Sequence, residues 1–156
     1  MNRIVTGYGP DGAPAILFEG EPPMVDRTEK YVTSELWISA ETPAPLDVAA
    51  DTSLAGYELE PPGTGSRFRI VEIMPQQSSS EPAAAAAADD DASGVHRTDT
   101  LDYVVVLRGE VTLVVGERAV TLYPGDVVVQ GGIEHDWENR GTEPCAVAAV
   151  LIAGAR

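Results

Sequence analysis

Apolar and polar residues alternate in short blocks along much of the chain, the period-2 signature of strands with one buried face. In the N-terminal half these blocks are residues 3–8 (RIVTGY), 15–18 (AILF), 31–38 (YVTSELWI) and 67–74 (RFRIVEIM). Glu21-Pro22-Pro23, Pro43-Ala44-Pro45 and Pro61-Pro62-Gly63 separate them, since proline removes a backbone donor and fixes φ. Residues 46–56 predict a brief helix. The C-terminal half is more regular, with strands predicted over 103–107, 111–115, 119–123, 126–129 and 145–152. Gly109-Glu110 and Gly116-Glu117-Arg118 suit tight hairpins. Tyr123-Pro124-Gly125-Asp126 suits a type II turn, with glycine where φ must be positive. Many short strands at this spacing, with almost no helix, predict an all-β sandwich or barrel.

The segment 77–93 (QSSSEPAAAAAADDDAS) interrupts this pattern. Its alanine run favours helix, but three aspartates follow at the end where the helix dipole disfavours negative charge. A flexible solvated insert is the reading, with a lid over a nearby pocket as the alternative. The 156 residues then form one domain: N-terminal strands and turns over 1–76, the insert over 77–93, and a core over 94–153.

Composition narrows the function classes. Net charge is −15, and the nine arginines and one lysine are never clustered. Nucleic-acid binding needs grouped cations against phosphates, and an anionic membrane surface needs them too. Neither partner is expected. Cys145 is the single cysteine and sits in an apolar run, so it reads as a small buried hydrophobe. The N-terminus carries no apolar signal core and no stretch is long enough to span a bilayer, so a cytoplasmic location is expected.

Candidate chemistry gathers around the two histidines, His96 and His135. In GVHRTDTLDYVVVLRG, residues 96, 98, 100 and 102 share parity. An extended segment therefore projects His96, Thr98 and Asp102 from one face. In GGIEHDWENRG, His135, Trp137 and Asn139 likewise share a face. Two imidazoles and a carboxylate brought together make a facial triad with open coordination positions, where a metal can polarise a substrate. Structural histidines and a turn-capping Asp102 are the plain alternative. Trp137 and Gln130 are placed in or near the pocket, Trp137 with core packing as its alternative. Tyr103 has the opposite parity and is expected outside. Glu134 neighbours His135 but faces away, and Arg97 and Arg140 read as surface arginines.

Residues 94–139 resemble the two motifs of the cupin superfamily. The first runs from a glycine through His-x-His to a glutamate four residues on and a later glycine; His96, Thr98, Asp102 and Gly109 stand in those places. The second is a Pro-x-Gly turn followed by histidine and then asparagine; Gly132, His135 and Asn139 match, and Gln130 stands where proline is usual. The Tyr123–Asp126 turn is also typical of the family. The resemblance implies a double-stranded β-helix, a jelly-roll-like barrel with extra N-terminal strands. It implies a divalent metal (Fe, Mn, Ni or Zn) on His96, Asp102 and His135, with Thr98 replacing one usual ligand and Asp102 a longer one. Metal-free members exist, so the site is also open to being empty. Thr98, Gln130, Trp137 and Asn139 fall to the pocket or its surroundings.

Two functions follow. One is a metal-dependent enzyme acting on a small oxygen-bearing metabolite, aromatic or polyketide-like, by lyase, isomerase, decarboxylase or dioxygenase chemistry. The other is a non-catalytic small-molecule-binding module without metal. A homodimer is expected, because exposed sheet edges are covered by pairing with a second copy and cupins commonly dimerise.

Overall fold

The computed structural model describes residues 1–76 and 94–155. The insert over 77–93 lies outside the described residues. The strands are β1 (Arg3–Tyr8), β2 (Pro14–Gly20), β3 (Met24–Arg27), β4 (Tyr31–Ser39), β5 (Ser66–Ile73), β6 (Thr100–Arg108), β7 (Val111–Val115), β8 (Arg118–Leu122), β9 (Val127–Gln130), β10 (Asp136–Glu138) and β11 (Cys145–Ala153). They form an antiparallel six-stranded sheet in the order β3-β4-β5-β11-β6-β9, a three-stranded sheet β10-β7-β8, and the hairpin β1-β2. The chain is all-β, as its alternation predicts. Among the described residues no helix is long and apolar enough to cross a membrane.

Strand β6 shows how the pattern becomes a core. Thr100, Asp102, Val104 and Val106 are buried, while Leu101, Tyr103, Val105 and Leu107 are exposed. Successive side chains point to opposite faces, so one parity packs inward. Val106 belongs with Val111, Leu122, Trp137, Cys145 and Val147 to one core cluster drawn from the two larger sheets. Fully burying each such aliphatic side chain contributes roughly 1.5–3 kcal/mol.

Turn chemistry holds the register. Gly109 has φ 74°, and a Cβ there would lie 2.9 Å from Cα of Cys145 and the carbonyl of Pro144. Only glycine serves at this crossing of β6 and β11. In the Tyr123–Asp126 turn, Gly125 has φ 96°, the Asp126 amide donates to the Tyr123 carbonyl, and the Tyr123 amide donates to the Asp126 carboxylate at 2.8 Å.

Two expectations are corrected. The helix predicted over 46–56 is reduced to a 3-10 turn, Thr52–Ala55. Asp51 accepts the Ser53 amide and starts the turn, and Gly56 ends it at φ 98°. Strands β3 and β10 went unrecognised: at four and three residues they are too short to show a period.

Candidate functional site

Cross-strand register sets the inner wall of the cavity. One rung across the six-stranded sheet reads Arg67, Leu151, Asp102, Gln130 on β5, β11, β6 and β9. The next reads Glu35, Arg69, Ala149, Val104, Val128 from β4 to β9. Facing Asp102 and Gln130 are two segments outside the strands. His96 and His135 exchange both backbone hydrogen bonds at 3.0 Å, and their ring centroids lie 4.4 Å apart at 60°. The cavity they line is about 220 Å³ and opens to solvent. Its polar end is His96, Thr98, Asp102, Gln130 and His135, and Tyr31, Tyr57, Trp137, Val104 and Leu151 are among its remaining walls.

The tautomers follow from the partners. Nδ1 of His96 lies 3.0 Å from the Gly94 carbonyl and Nδ1 of His135 lies 2.8 Å from the Ile133 carbonyl. A carbonyl only accepts, so Nδ1 donates in both rings, and in the neutral imidazole the lone pair falls on Nε2. Burial lowers the pKa of His135, with the neighbouring His96 acting in the same direction. Burial also raises the pKa of Asp102, against the opposing hydrogen bonds of Thr100 and Gln130. The amide nitrogen of Gln130 donates to Asp102 Oδ2 at 3.1 Å and to His135 Nε2 at 2.9 Å. Asp102 Oδ1 and Gln130 Oε1 are buried without a hydrogen-bond partner.

These atoms test the expected metal triad. Among the described residues, no three His, Cys, Asp or Glu side chains stand together as a ready metal-holding group. The structure brings His96, Asp102 and His135 to one end of the cavity, but the Gln130 amide occupies the lone pair of His135 that a cation would need. In kind, the donors fit a divalent ion. Both imidazoles are held through Nδ1 by backbone carbonyls, the orientation that supports metal ligands. Asp102 Oδ1 has no other partner. Turning the Gln130 amide about its last bond would set Oε1 in place of the nitrogen, so that three acceptors met at His135 Nε2, Asp102 Oδ2 and Gln130, an arrangement that a cation among them would favour.

Thr98 is buried against Thr100, with the hydroxyls 2.7 Å apart, and lines the cavity. Trp137 lines the cavity and packs in the core, pairing with Leu113 across β10 and β7. Asn139 lies outside the pocket. Fully buried, it donates to the carbonyls of Ile73 and Glu143 at 2.8 Å each and accepts the Gly141 amide at 2.9 Å. It ties the turn after β10 to β5. Tyr103, Glu134, Arg97 and Arg140 are exposed, and Arg140 pairs with Glu138. Sequence reasoning missed Arg69, Tyr31 and Tyr57. The alternation in RFRIVEIM carried a signal for Arg69, because two arginines at i and i+2 share the apolar face of that strand.

The cupin domain profile matches residues 86–151, the stretch that holds both histidines and Asp102. This chain is a cupin. It is 36% identical over 110 residues to phomopsin biosynthesis cluster protein C' of Diaporthe leptostromiformis, covering 65% of this cupin and 50% of that protein. It is 28% identical over 160 residues to the cupin-domain-containing oxidoreductase virC of Hypocrea virens, covering 96% of this cupin and 74% of that protein. This cupin therefore spans half the length of the phomopsin-cluster protein and about three quarters of virC. Among solved structures, apo-HppE superposes with a TM-score of 0.50 at 16% identity, over 85% of this cupin and 56% of that chain, a likeness of fold.

Proposed function

We propose that this cupin is a metal-dependent enzyme acting on a small oxygen-bearing metabolite, aromatic or polyketide-like. One observation carries the reading: two cavity-lining imidazoles are held through Nδ1–H, which leaves Nε2 as the ligand atom of each, and the same cavity is lined by Asp102, whose Oδ1 is buried without a partner. His96, His135 and Asp102 would hold the ion, and Gln130 Oε1 is a further oxygen donor within the same cluster. A divalent ion (Fe, Mn, Ni or Zn) supplies Lewis-acid polarisation of a carbonyl or hydroxyl when bound. The chain's own residues bind and orient. Tyr31, Tyr57 and Trp137 offer faces and edges to a flat substrate, and Val104, Val147 and Leu151 exclude water. Two relatives support a role in small-molecule metabolism by their names, a biosynthesis-cluster protein and an oxidoreductase.

One observation favours the metal-free binding module instead. The Gln130 amide closes His135 and Asp102 with hydrogen bonds and needs no ion to do so. Elemental analysis of protein purified without a His-tag separates the two. Stoichiometric Fe, Mn, Ni or Zn is the expected result. Protein that stays metal-free after dialysis against each of these ions would overturn the enzyme reading and leave the binding module.

A further inference from the structure

A second polar feature of the cavity lies away from the histidines. Arg67 and Arg69 project inward from β5 and are 2% and 3% exposed. Between them lies one fully buried carboxylate, Glu35. Its Oε2 is 2.7 Å from Arg67 Nη1 and its Oε1 is 2.6 Å from Arg69 Nε. The second contact is an ion pair by distance but lacks the direction of a hydrogen bond, since neither atom has a hydrogen-bond partner. Arg67 has a further carboxylate, Glu58 at 3.0 Å, whose side chain reaches the surface. Among the described residues, Arg69 forms an ion pair with Glu35, and its charge also acts on Asp102. The Arg69 Nη groups donate to the backbone carbonyls of Glu58 at 2.9 Å and Leu59 at 3.4 Å.

Two buried guanidiniums thus share one buried carboxylate, and the one with fewer counter-charges lines the cavity. A guanidinium has five N–H donors. Two are taken by the carbonyls and Nε faces Glu35, which leaves one N–H on each Nη. A buried cation short of counter-charge is costly unless an anion or hydrogen-bond acceptors complete it. Register provides room for such a group: the neighbour of Arg69 across β11 is Ala149, the smallest side chain on its rung, with Val104 beyond. Tyr57 stands 5.3 Å from the guanidinium, measured from its ring centre, and also lines the cavity.

We propose that Arg69 binds the carboxylate of the ligand, so that the pocket takes small flat acids in preference to their neutral counterparts. The bidentate match of guanidinium and carboxylate gives the preference. His96, Asp102 and His135 line the same cavity, so an acid held by Arg69 turns its remaining oxygen functions towards them. The net charge of −15 works against anions generally, so a preference for the acid must come from a local cation. This inference shares with the proposed function only that the cavity takes a small molecule, and it does not depend on the metal.

The test is calorimetric titration of chelator-dialysed protein with benzoate, 4-hydroxybenzoate and cinnamate, and with the corresponding amides. Wild type is expected to bind the acids at least tenfold more tightly than the amides. Arg69→Met should erase that ratio and leave amide binding within about twofold, which also shows that the pocket has folded. Arg69→Lys should keep a reduced preference, since charge remains and the fork is lost. Should Arg69→Met not fold, Arg69→Gln carries the same expectation. Equal affinity for acids and amides in wild type, a preference that survives loss of the charge, or no binding by either series at millimolar concentration would overturn the proposal. Metal found by elemental analysis with acids and amides bound equally would defeat this inference alone; acid preference in protein that never takes up metal would defeat the enzyme reading alone.

Discussion

Nε2 of Gln130 lies 2.9 Å from Nε2 of His135, and the same nitrogen reaches Asp102 Oδ2 at 3.1 Å. One amide therefore serves a buried imidazole and a buried carboxylate. Gln130→Leu leaves both acceptors without their donor, at a cost of about 1–3 kcal/mol in metal-free protein. Urea unfolding at neutral pH checks this, and an unchanged midpoint would show that the amide does not stabilise the pair.

If His96, Asp102 and His135 hold an ion, they act as one unit. His96→Ala or His135→Ala should remove most of the bound metal, and Asp102→Asn should reduce it by deleting the anionic ligand. Thr98→Ala should leave it in place, because the Thr98 hydroxyl is engaged with Thr100. Metal content per chain decides. Equal loss in the Thr98 variant would place that hydroxyl on the ion.

Asn139 is a structural tie. Asn139→Ala strands the carbonyls of Ile73 and Glu143 and the amide of Gly141, a loss of about 2–4 kcal/mol. Denaturant unfolding should show that loss, while ligand affinity of the protein that remains folded stays at the wild-type value. A variant of native stability and altered affinity would return Asn139 to the site.

Arg3 and Asp51 join β1 to the turn after β4. Arg3 Nη1 lies 2.9 Å from Asp51 Oδ1 and from the Leu36 carbonyl. The Arg3 hydrogen bond, aided by Ser53, lowers the Asp51 carboxyl from 3.8 to about 2. A carboxylate with a depressed folded-state pKa adds stability above its unfolded value and loses it as pH falls through the folded one. Asp51→Asn should therefore melt below wild type at pH 6, and the gap should close between about pH 4 and pH 2. A constant gap across that range would show that the charge of Asp51 is not what stabilises the turn.

A second copy of this chain is the partner expected on the outer face of β6 and β9. Leu101, Tyr103, Val105 and Leu107 are exposed there, and the edge strand adds Val127 and Val129 at 68% and 69% exposure. None of these side chains is charged. For a chain of net charge −15, a patch of uncharged side chains lets two copies approach without setting carboxylate against carboxylate there. Light scattering should give twice 16.5 kDa, and Val129→Lys should halve that mass. A wild-type mass of one chain would rule the dimer out.

Parity along a strand is a local property, and wherever it governs, the residues alone were enough. The alternation around β6 placed Asp102 inward and Tyr103 outward, and Gly109, Pro124 and Gly125 marked turns that only their backbones suit. Parity ends with the strand. Asn139 shares its parity with His135 and Trp137, yet β10 stops at Glu138 and the chain turns away, so Asn139 braces β5 and leaves the pocket. What stands opposite a residue is non-local, fixed by which strands pair and in what register. That decided that Gln130 pairs with Asp102, that its amide meets His135, and that Glu35 lies beside Arg69. Histidines and carboxylates announce candidate chemistry by residue type, whereas the work of Gln130 and Arg69 comes from burial and from neighbours that are distant in sequence. Only the paired sheet supplies those.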